Sequence, residues 1–506
     1  MPEARTFILL DPPSSGTFCR RAALREKDCA RAAAFPSIDL ILLSGCVREA
    51  GYAPVYIDAQ LDRLGWDDVA QRLRTIQPAG VLSLTSTSRL DQELEALGEL
   101  KQGLGGLPVY IIATIILQKQ KDGVQRVMER HPWLDGMVLN VAEHNFADII
   151  RPGSANVVPF NVAIRANLQS PISNLQFDQP LPYGRGSERR GSDINLLTAS
   201  VSDVVVPEVQ VRYGDSLRLP QPQHALFRDK RYSFPQSRRG PVTCAQFSFG
   251  CPFTCEFCID NQQYRKMLYR DVDDMVAEMV EIDRLGFREV YFKDLTFGMN
   301  FAITAEFLRK LIDRKLKLRW LCTTRIDVAR PELLDLMRQA GCYGVEFGVE
   351  HHKEATRLRV DKRISTERIK TVFANCRERG IETTAFIMLA FEDDTEQDVR
   401  DTIRFAKALH ADYVSFNVVN ALPGTEYAQR ARREGFLHEN TTDYSFAISN
   451  IKHRHLTPEQ VARLYKEAVR STYLRPGAIF RRLLNLQSWY ELRKLVRLGR
   501  GVVFGS

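Results

Sequence analysis

Along the first 150 positions, apolar residues come in short, nearly unbroken runs, and between the runs they recur every three or four positions. Runs at 6–10, 54–57, 80–84, 108–112 and 136–139 read as strands, and 37–50, 66–76, 91–102 and 122–130 as helices. Continuous apolar strands separated by helices of this length describe a parallel sheet covered on both faces. A doubly wound, flavodoxin-like order is expected, with ligands at the carboxyl ends of the strands. Between about 157 and 237 Pro, Gly, Ser and charged residues mix without a period, as a connector would. The alternation then resumes, with strands expected at 242–247, 289–292, 319–322, 344–347, 382–388 and 413–416. Helices are expected at 272–285, 302–314, 331–339, 366–379 and 396–409, and Gly286, Gly341 and Gly380 stand where C-caps would fall. Six βα units fit a partial TIM-like barrel, whose chemistry sits where the strands end. The expected class is α/β in four parts: a flavodoxin-like domain at 1–150, an irregular connector at 151–240, a partial (β/α)6 barrel at 241–425 and a basic helical region at 426–506.

Composition adds limits. A chain of 506 residues, 44% hydrophobic and 26% charged, has the make-up of a soluble protein of several domains. Its longest apolar stretch, 109–117, contains Thr114 and is too short to span a bilayer. The start Met-Pro-Glu-Ala-Arg, followed by a strand, has no signal-peptide pattern, so a cytoplasmic location is expected. Thiols stay reduced there. Cys19, Cys29, Cys46, Cys244, Cys322, Cys342 and Cys376 are scattered and read as small core residues. A net charge of +8 is modest, and no nucleic-acid partner is expected. The basic excess gathers at 479–500, where Arg481, Arg482, Arg493, Lys494, Arg497 and Arg500 alternate with apolar residues. That stretch reads first as a terminal helix packed on the core, and second as a peripheral contact with an anionic membrane.

Cys251, Cys255 and Cys258 change the picture. They form C-x3-C-x2-C after a predicted strand and before a helix. Soft thiolates suit iron–sulfur clusters and zinc. Three of them can hold three corners of a cubane and leave one iron open, and an open metal position is where chemistry happens. The run lacks the fourth cysteine of ferredoxin motifs and the pairing of zinc knuckles. A zinc site and three unrelated core cysteines remain as other readings. The strand-end rule nominates further positions: Lys293 and Asp294 after the second barrel strand, Thr323, Thr324, Arg325 and Asp327 after the third, and Glu350 and His351 after the fourth. Glu346, inside that fourth strand, could face either way.

The triplet resembles that of the radical SAM superfamily, in which a 4Fe-4S cluster binds S-adenosylmethionine (SAM) at its open iron. The resemblance implies that Cys251, Cys255 and Cys258 are metal ligands and that Phe257 lies beside the adenine. It also implies that Asp294 approaches the methionine amino group and that Glu350, in a stretch like the family's G-V-E-S, helps to hold SAM. Lys362 and Arg363 resemble the family's N-K-G-I-T segment, and 422–425 its P-G-T loop. A flavodoxin-like domain ahead of the barrel is similar to the cobalamin-binding subgroup, which includes anaerobic magnesium-protoporphyrin monomethyl ester cyclase-like and lipid-modifying members. Cobalamin would then meet the hydroxyls of Ser83, Thr85 and Ser86. This chain departs from the subgroup by lacking D-x-H-x-x-G and the glycines usual after the fourth and fifth strands of that domain, which limits close backbone approach to a bulky cofactor.

The expected function is therefore a cobalamin-dependent-type radical SAM enzyme that methylates or cyclises an unactivated carbon. A lipid or tetrapyrrole substrate and an external electron donor are expected partners, by analogy with the subgroup. One alternative keeps the radical chemistry without cobalamin. Another, of a different class, is a zinc-stabilised binding protein.

Overall fold

The structure, a computed structural model, describes residues 4–13, 18–19, 24–25, 34–86, 89–113, 122–141, 144, 146–152, 161–165, 204–205, 216–259, 265–438, 449–473, 488–489, 491–493 and 496. Most of the basic stretch expected at 479–500 thus lies outside the described residues. The chain gathers into two compact units, one drawn from 1–12, 43–58 and 64–212, the other from 13–42, 59–63 and 213–506.

In the first unit β1 Thr6–Asp11, β2 Ala53–Asp58, β3 Val81–Ser83, β4 Val109–Ile112 and β5 Gly136–Val138 run parallel in the order 2-1-3-4-5. Ile8, Leu9, Leu10, Val81, Leu82, Val109 and Ile111 are fully buried, as a sheet covered on both faces requires. Helices α1 Ile38–Glu49, α2 Trp66–Ile76, α3 Leu90–Gly103 and α4 Gly123–Arg130 separate the strands in sequence. Beyond β5, two antiparallel strands, β6 Val162–Arg165 and β7 Val204–Val205, extend the sheet. Both come from the stretch expected to be an irregular connector, because strands of four and two residues are too short for a period to register.

The main sheet of the second unit begins with β8 Val242–Ala245, followed by a small antiparallel pair, β9 Ser248–Phe249 and β10 Leu268–Tyr269. β11 Glu289–Phe292, β12 Arg319–Thr324, β13 Cys342–Glu350, β14 Glu382–Leu389 and β15 Tyr413–Val418 then continue a parallel sheet in the order 8-11-12-13-14-15. The crossings carry α5 Val272–Arg284, α6 Phe301–Arg314, α7 Pro331–Gln339, α8 Glu354–Arg359, α9 Thr366–Glu378 and α10 Glu396–Ala408, and α11 Glu426–Arg433 and α12 Pro458–Tyr473 follow. Local chemistry starts these helices where they start. Asp271, Asn300, Ser365 and Thr395 accept from the first free N–H groups of α5, α6, α9 and α10. Gly341, at φ +97°, ends the α7 connection where an added Cβ would lie 2.8 Å from the Leu318 carbonyl oxygen.

One face of these strands packs on the helices: Val290, Phe292, Trp320, Cys322, Val345, Phe347, Ala385, Ile387, Val414 and Phe416 share a continuous core. Cys322, Cys342 and Cys376 are buried in it, as expected of small core residues. The amino-terminal end of the sheet is closed by the residues before β8. Phe227, Tyr232 and Phe234 are buried there. The Arg238 N–H donates to Glu289 at 3.0 Å, the Tyr343 hydroxyl donates to the same carboxylate at 3.0 Å, and the Arg238 guanidinium meets Glu382. Residues 216–240, expected in the connector, therefore belong to the second unit, as do the described parts of 13–42 and 59–63. Their contacts are made with strand ends far away in sequence, which leaves no local period to read. Among the described residues no helix is long and apolar enough to cross a membrane.

Candidate active site

The strand faces turned away from the helices carry the half-exposed positions of the sheet. These are Tyr291 on β11, Thr323 on β12, Gly348 on β13, Phe386 and Met388 on β14, and Ser415 and Asn417 on β15. Their spacing of two residues and their shared side define a second, partly exposed face of the sheet, its lumen face. Phe386 and Met388 make one wall apolar; the others make it polar.

The cysteine loop lies across the carboxyl ends of these strands and is tied down from four directions. From below, Asp294, two residues past β11, accepts from the N–H groups of Phe247 at 2.9 Å and Ser248 at 2.7 Å and from the Ser248 hydroxyl at 2.5 Å. Burial pushes the Asp294 carboxyl up to about 6, against the pull of these donors. From β12, Arg325 donates to the Cys255 sulfur at 3.2 Å. From the segment after α8, the Val360 carbonyl accepts from the Glu256 N–H at 3.1 Å and Asp361 accepts from the Thr254 hydroxyl. From α11, the Tyr427 N–H donates to the Glu256 carbonyl at 2.9 Å and Arg430 pairs with the Glu256 carboxylate at 3.1 Å. Cys255 is 7% exposed, whereas Cys251 and Cys258 are half-buried. The Thr296 hydroxyl donates to Cys251 Sγ at 3.4 Å. Burial pushes the Cys255 thiol up, while Lys362 and Arg325 pull the other way by favouring the thiolate.

The other expected residues are distributed differently. Asp294 is 1% exposed, and its oxygens already receive three donors, so it holds the cysteine loop rather than opening toward a ligand. Glu350, at φ +67°, is 6% exposed and pairs with Lys362 at 2.9 Å. Lys362, in the segment like the family's N-K-G-I-T, thus meets a carboxylate of the protein, and Arg363 pairs with Asp361. Gly348 leaves room for that pair: a Cβ there would overlap Glu350 Oε1 and stand 2.5 Å from Lys362 Nζ. Gly348→Ala is expected to separate the two charges and cost about 1–3 kcal/mol, read as a lower Tm; an unshifted Tm would mean that the pair can move aside. Phe257 is half-buried against the cluster of Val360, Phe391, Val419 and Tyr427. His351 is fully buried, its ring 3.3 Å from Asp394.

Glu346 faces the lumen, settling a question that the sequence left open. It accepts from Gln236 at 2.6 Å, Tyr291 at 2.5 Å and Thr323 at 2.9 Å. Burial holds its carboxyl above the usual range, against these donors and the charge of Lys293. Lys293 lies over the rings of Tyr291, at 4.3 Å, and Phe35, at 5.0 Å. The strand-end rule nominated Arg325 without giving it a role, and sequence reasoning missed Tyr291 and Gln236, the first of which lies one residue before the end of β11.

In the first unit, Ser83, Thr85 and Ser86 do stand at and just beyond the end of β3, but their hydroxyls are engaged. Ser83 donates to the Leu84 carbonyl, Thr85 to the Ile112 carbonyl, and Ser86 to Glu93 at 2.9 Å.

Among the described residues no three His, Cys, Asp or Glu side chains gather as ligands of a single metal ion. A cubane instead asks each of three cysteines for a different iron. The donor set, three thiols on one tethered loop beside two cations, suits such a cluster.

Residues 246–406 match the model of the radical SAM superfamily. Those residues form a radical SAM domain, and the chain is an enzyme. The domain implies a 4Fe-4S cluster and SAM as cofactors. More particularly, the chain is methyltransferase-like, with methyltransferase and cyclase relatives. An uncharacterised methyltransferase of Pyrococcus horikoshii is 26% identical over 88% of this chain and 89% of its own length. The anaerobic magnesium-protoporphyrin IX monomethyl ester cyclase of Cereibacter sphaeroides is 25% identical over 84% of this chain and 65% of its own. In fold, the chain is similar to the radical SAM methyltransferase TsrM from Kitasatospora setae, solved with cobalamin and a 4Fe-4S cluster bound: the TM-score is 0.64 at 14% identity, covering 99% of this chain and 100% of that one.

Proposed function

We propose that the protein is a cobalamin-dependent-type radical SAM enzyme that methylates or cyclises an unactivated carbon of a largely apolar substrate. The observation that carries this reading is the cysteine loop fastened across the carboxyl ends of six parallel strands, directly above a half-apolar lumen. Bound there, a 4Fe-4S cluster would supply the single electron needed to break a carbon–sulfur bond of SAM.

The protein's own residues do the rest. Cys251, Cys255 and Cys258 would hold the cluster. Asp294 and Thr296 fix the start of the loop, and the residues around Glu256 fix its end. The Glu350–Lys362 pair presents both signs of charge near the loop, which suits the amino and carboxylate groups of SAM. Phe386 and Met388 offer the substrate a dry surface, and Lys293 supports an anionic substituent on it. A tetrapyrrole carboxylate or a lipid headgroup has that character, and the relatives named above make the first a natural trial substrate. An external donor must bring the electron. The basic stretch at 479–500 could hold the enzyme against an anionic membrane that carries such a substrate.

Cobalamin would bind to the first unit. Its flavodoxin-like sheet ahead of a partial barrel supports this, because a 2-1-3-4-5 order takes ligands where the strand order reverses. Ser83, Thr85 and Ser86 do not add to that support, since their hydroxyls are already engaged.

The test is anaerobic reconstitution with iron and sulfide, reduction, and incubation with SAM. 5′-Deoxyadenosine or S-adenosylhomocysteine should accumulate, and protein prepared with hydroxocobalamin should retain a corrin absorbance after gel filtration. Products without the corrin would leave a radical SAM enzyme that has lost cobalamin. About one zinc per chain with neither iron nor product would replace the whole reading by the zinc-stabilised alternative.

A further inference from the structure

Arg325 is held more firmly than its position at a strand end requires. Its Nε and Nη2 form a two-pronged contact with Asp327, each at 2.9 Å. Nη2 also donates to the Lys362 carbonyl at 3.1 Å. The guanidinium carbon lies 3.5 Å from the centre of the Phe253 ring. The side chain is 7% exposed. What these four restraints leave is Nη1, which donates to Cys255 Sγ at 3.2 Å. A planar, permanently charged fork fixed along one edge has a single direction in which to present its remaining donor.

We infer that Arg325 sets the reduction potential of the cluster by donating this hydrogen bond to the Cys255 sulfur; the inference rests on the reading of Cys255 as a cluster ligand. Reduction adds one electron, taken from an external one-electron donor, and leaves the cluster and its thiolates one unit more negative. A donor hydrogen and a positive charge at a ligand sulfur stabilise that more negative state and raise the potential. The effect is strong where water is scarce, and both Cys255 and Arg325 are under one-tenth exposed. Asp327 acts through Arg325: it neutralises part of the charge and, more important, keeps the donor aimed. The Thr296 hydroxyl on Cys251 acts in the same direction with a neutral donor. Lys362 approaches Cys255 as a charge and is balanced by Glu350.

The experiment is a potentiometric titration with dithionite, reading the electron-paramagnetic signal of the reduced cluster in the full-length protein. Wild type, Arg325→Met, Arg325→Lys and Asp327→Asn would be compared, each corrected for iron content. Arg325→Met should lower the midpoint by about 59 mV or more, a tenfold shift of the one-electron equilibrium. Arg325→Lys, which keeps the charge and loses the fork, should fall between it and wild type, and Asp327→Asn should shift in the same direction by less. A midpoint equal to that of wild type in Arg325→Met would overturn the inference. So would failure of both Arg325→Met and Asp327→Asn to take up any cluster, which would make Arg325 a support of the loop alone. If wild type takes up no cluster, it is the assignment of Cys255 that fails.

Discussion

Cys255→Ala is expected to abolish both 5′-deoxyadenosine and S-adenosylhomocysteine formation. Of the three thiols this is the most buried and the one that Arg325 addresses. Its loss removes one corner of a three-cornered support and leaves a buried guanidinium donor facing a methyl group. Two remaining cysteines cannot hold a cubane against solvent and reductant, so the iron retained after anaerobic reconstitution should also fall. The fold should survive, because the cysteine loop lies across the strand ends and is not part of the continuous core. Cys376→Ala is the matched control. Cys376 is a fully buried thiol in α9, among the core residues, so its replacement should lower Tm by opening a small cavity yet leave iron binding and product formation in place. Full product yield from Cys255→Ala would remove the basis of the enzyme assignment.

The second large effect is on stability. Arg270 and Glu278 form a buried ion pair at 2.6 Å, with side chains 1% and 0% exposed. The Glu278 carboxylate also meets His224 at 3.0 Å, and His224 reaches Thr243 at 3.1 Å. The cluster thereby joins α5, β8, the turn at 224–227 and the residue that follows β10, which is the return arm of the cysteine loop. Arg270→Met leaves a carboxylate buried without its main counter-charge. Breaking one side of such a pair costs about 3–5 kcal/mol. For a unit of this size, that is a fall in Tm on the order of 10 °C.

The pH dependence of this pair has a definite sign. Burial pushes the Glu278 carboxyl up, but Arg270 and His224 outweigh it and hold it down at about 2, below its ordinary value of 4.5. A carboxyl depressed in the folded state stabilises the protein above its unfolded value, and that contribution is lost as pH falls from about 4.5 toward 2. The Tm difference between wild type and Arg270→Met should therefore narrow in acid and be full near neutrality. A constant difference at all pH values would mean that Arg270 contributes by packing and not by charge.

How much of this was legible depended on how far apart the partners lie. The helices at 66–76 and 331–339 and the strand at 289–292 were readable to the residue, because each carries its own period, cap or proline start. The cysteine loop was readable for the same reason, since Cys251, Cys255 and Cys258 fall within one short run. Asp294 was placed correctly at a strand end but expected to face a ligand, whereas it holds the cysteine loop. Its donors, Phe247 and Ser248, are nearly fifty residues earlier. Glu350 was expected to help hold SAM and Lys362 was noted only for its family-like segment; their pairing depends on the turn of α8 that returns the chain to the end of β13. The hydroxyl run at 83–86 looked free in one dimension, and Glu93 and the Ile112 carbonyl take two of its members in three.

By itself, then, the sequence determined the alternation of strands and helices and the presence of a loop with three closely spaced cysteines, since these follow from residue types at short, regular spacing. Only the tertiary structure decided which polar side chains face the lumen, which are consumed in holding the cysteine loop, and which one is aimed at the Cys255 sulfur. Those outcomes are set by hydrogen bonds and charge pairs between strand ends many residues apart. No local pattern encodes such a partner; the packing of the folded chain brings it into reach.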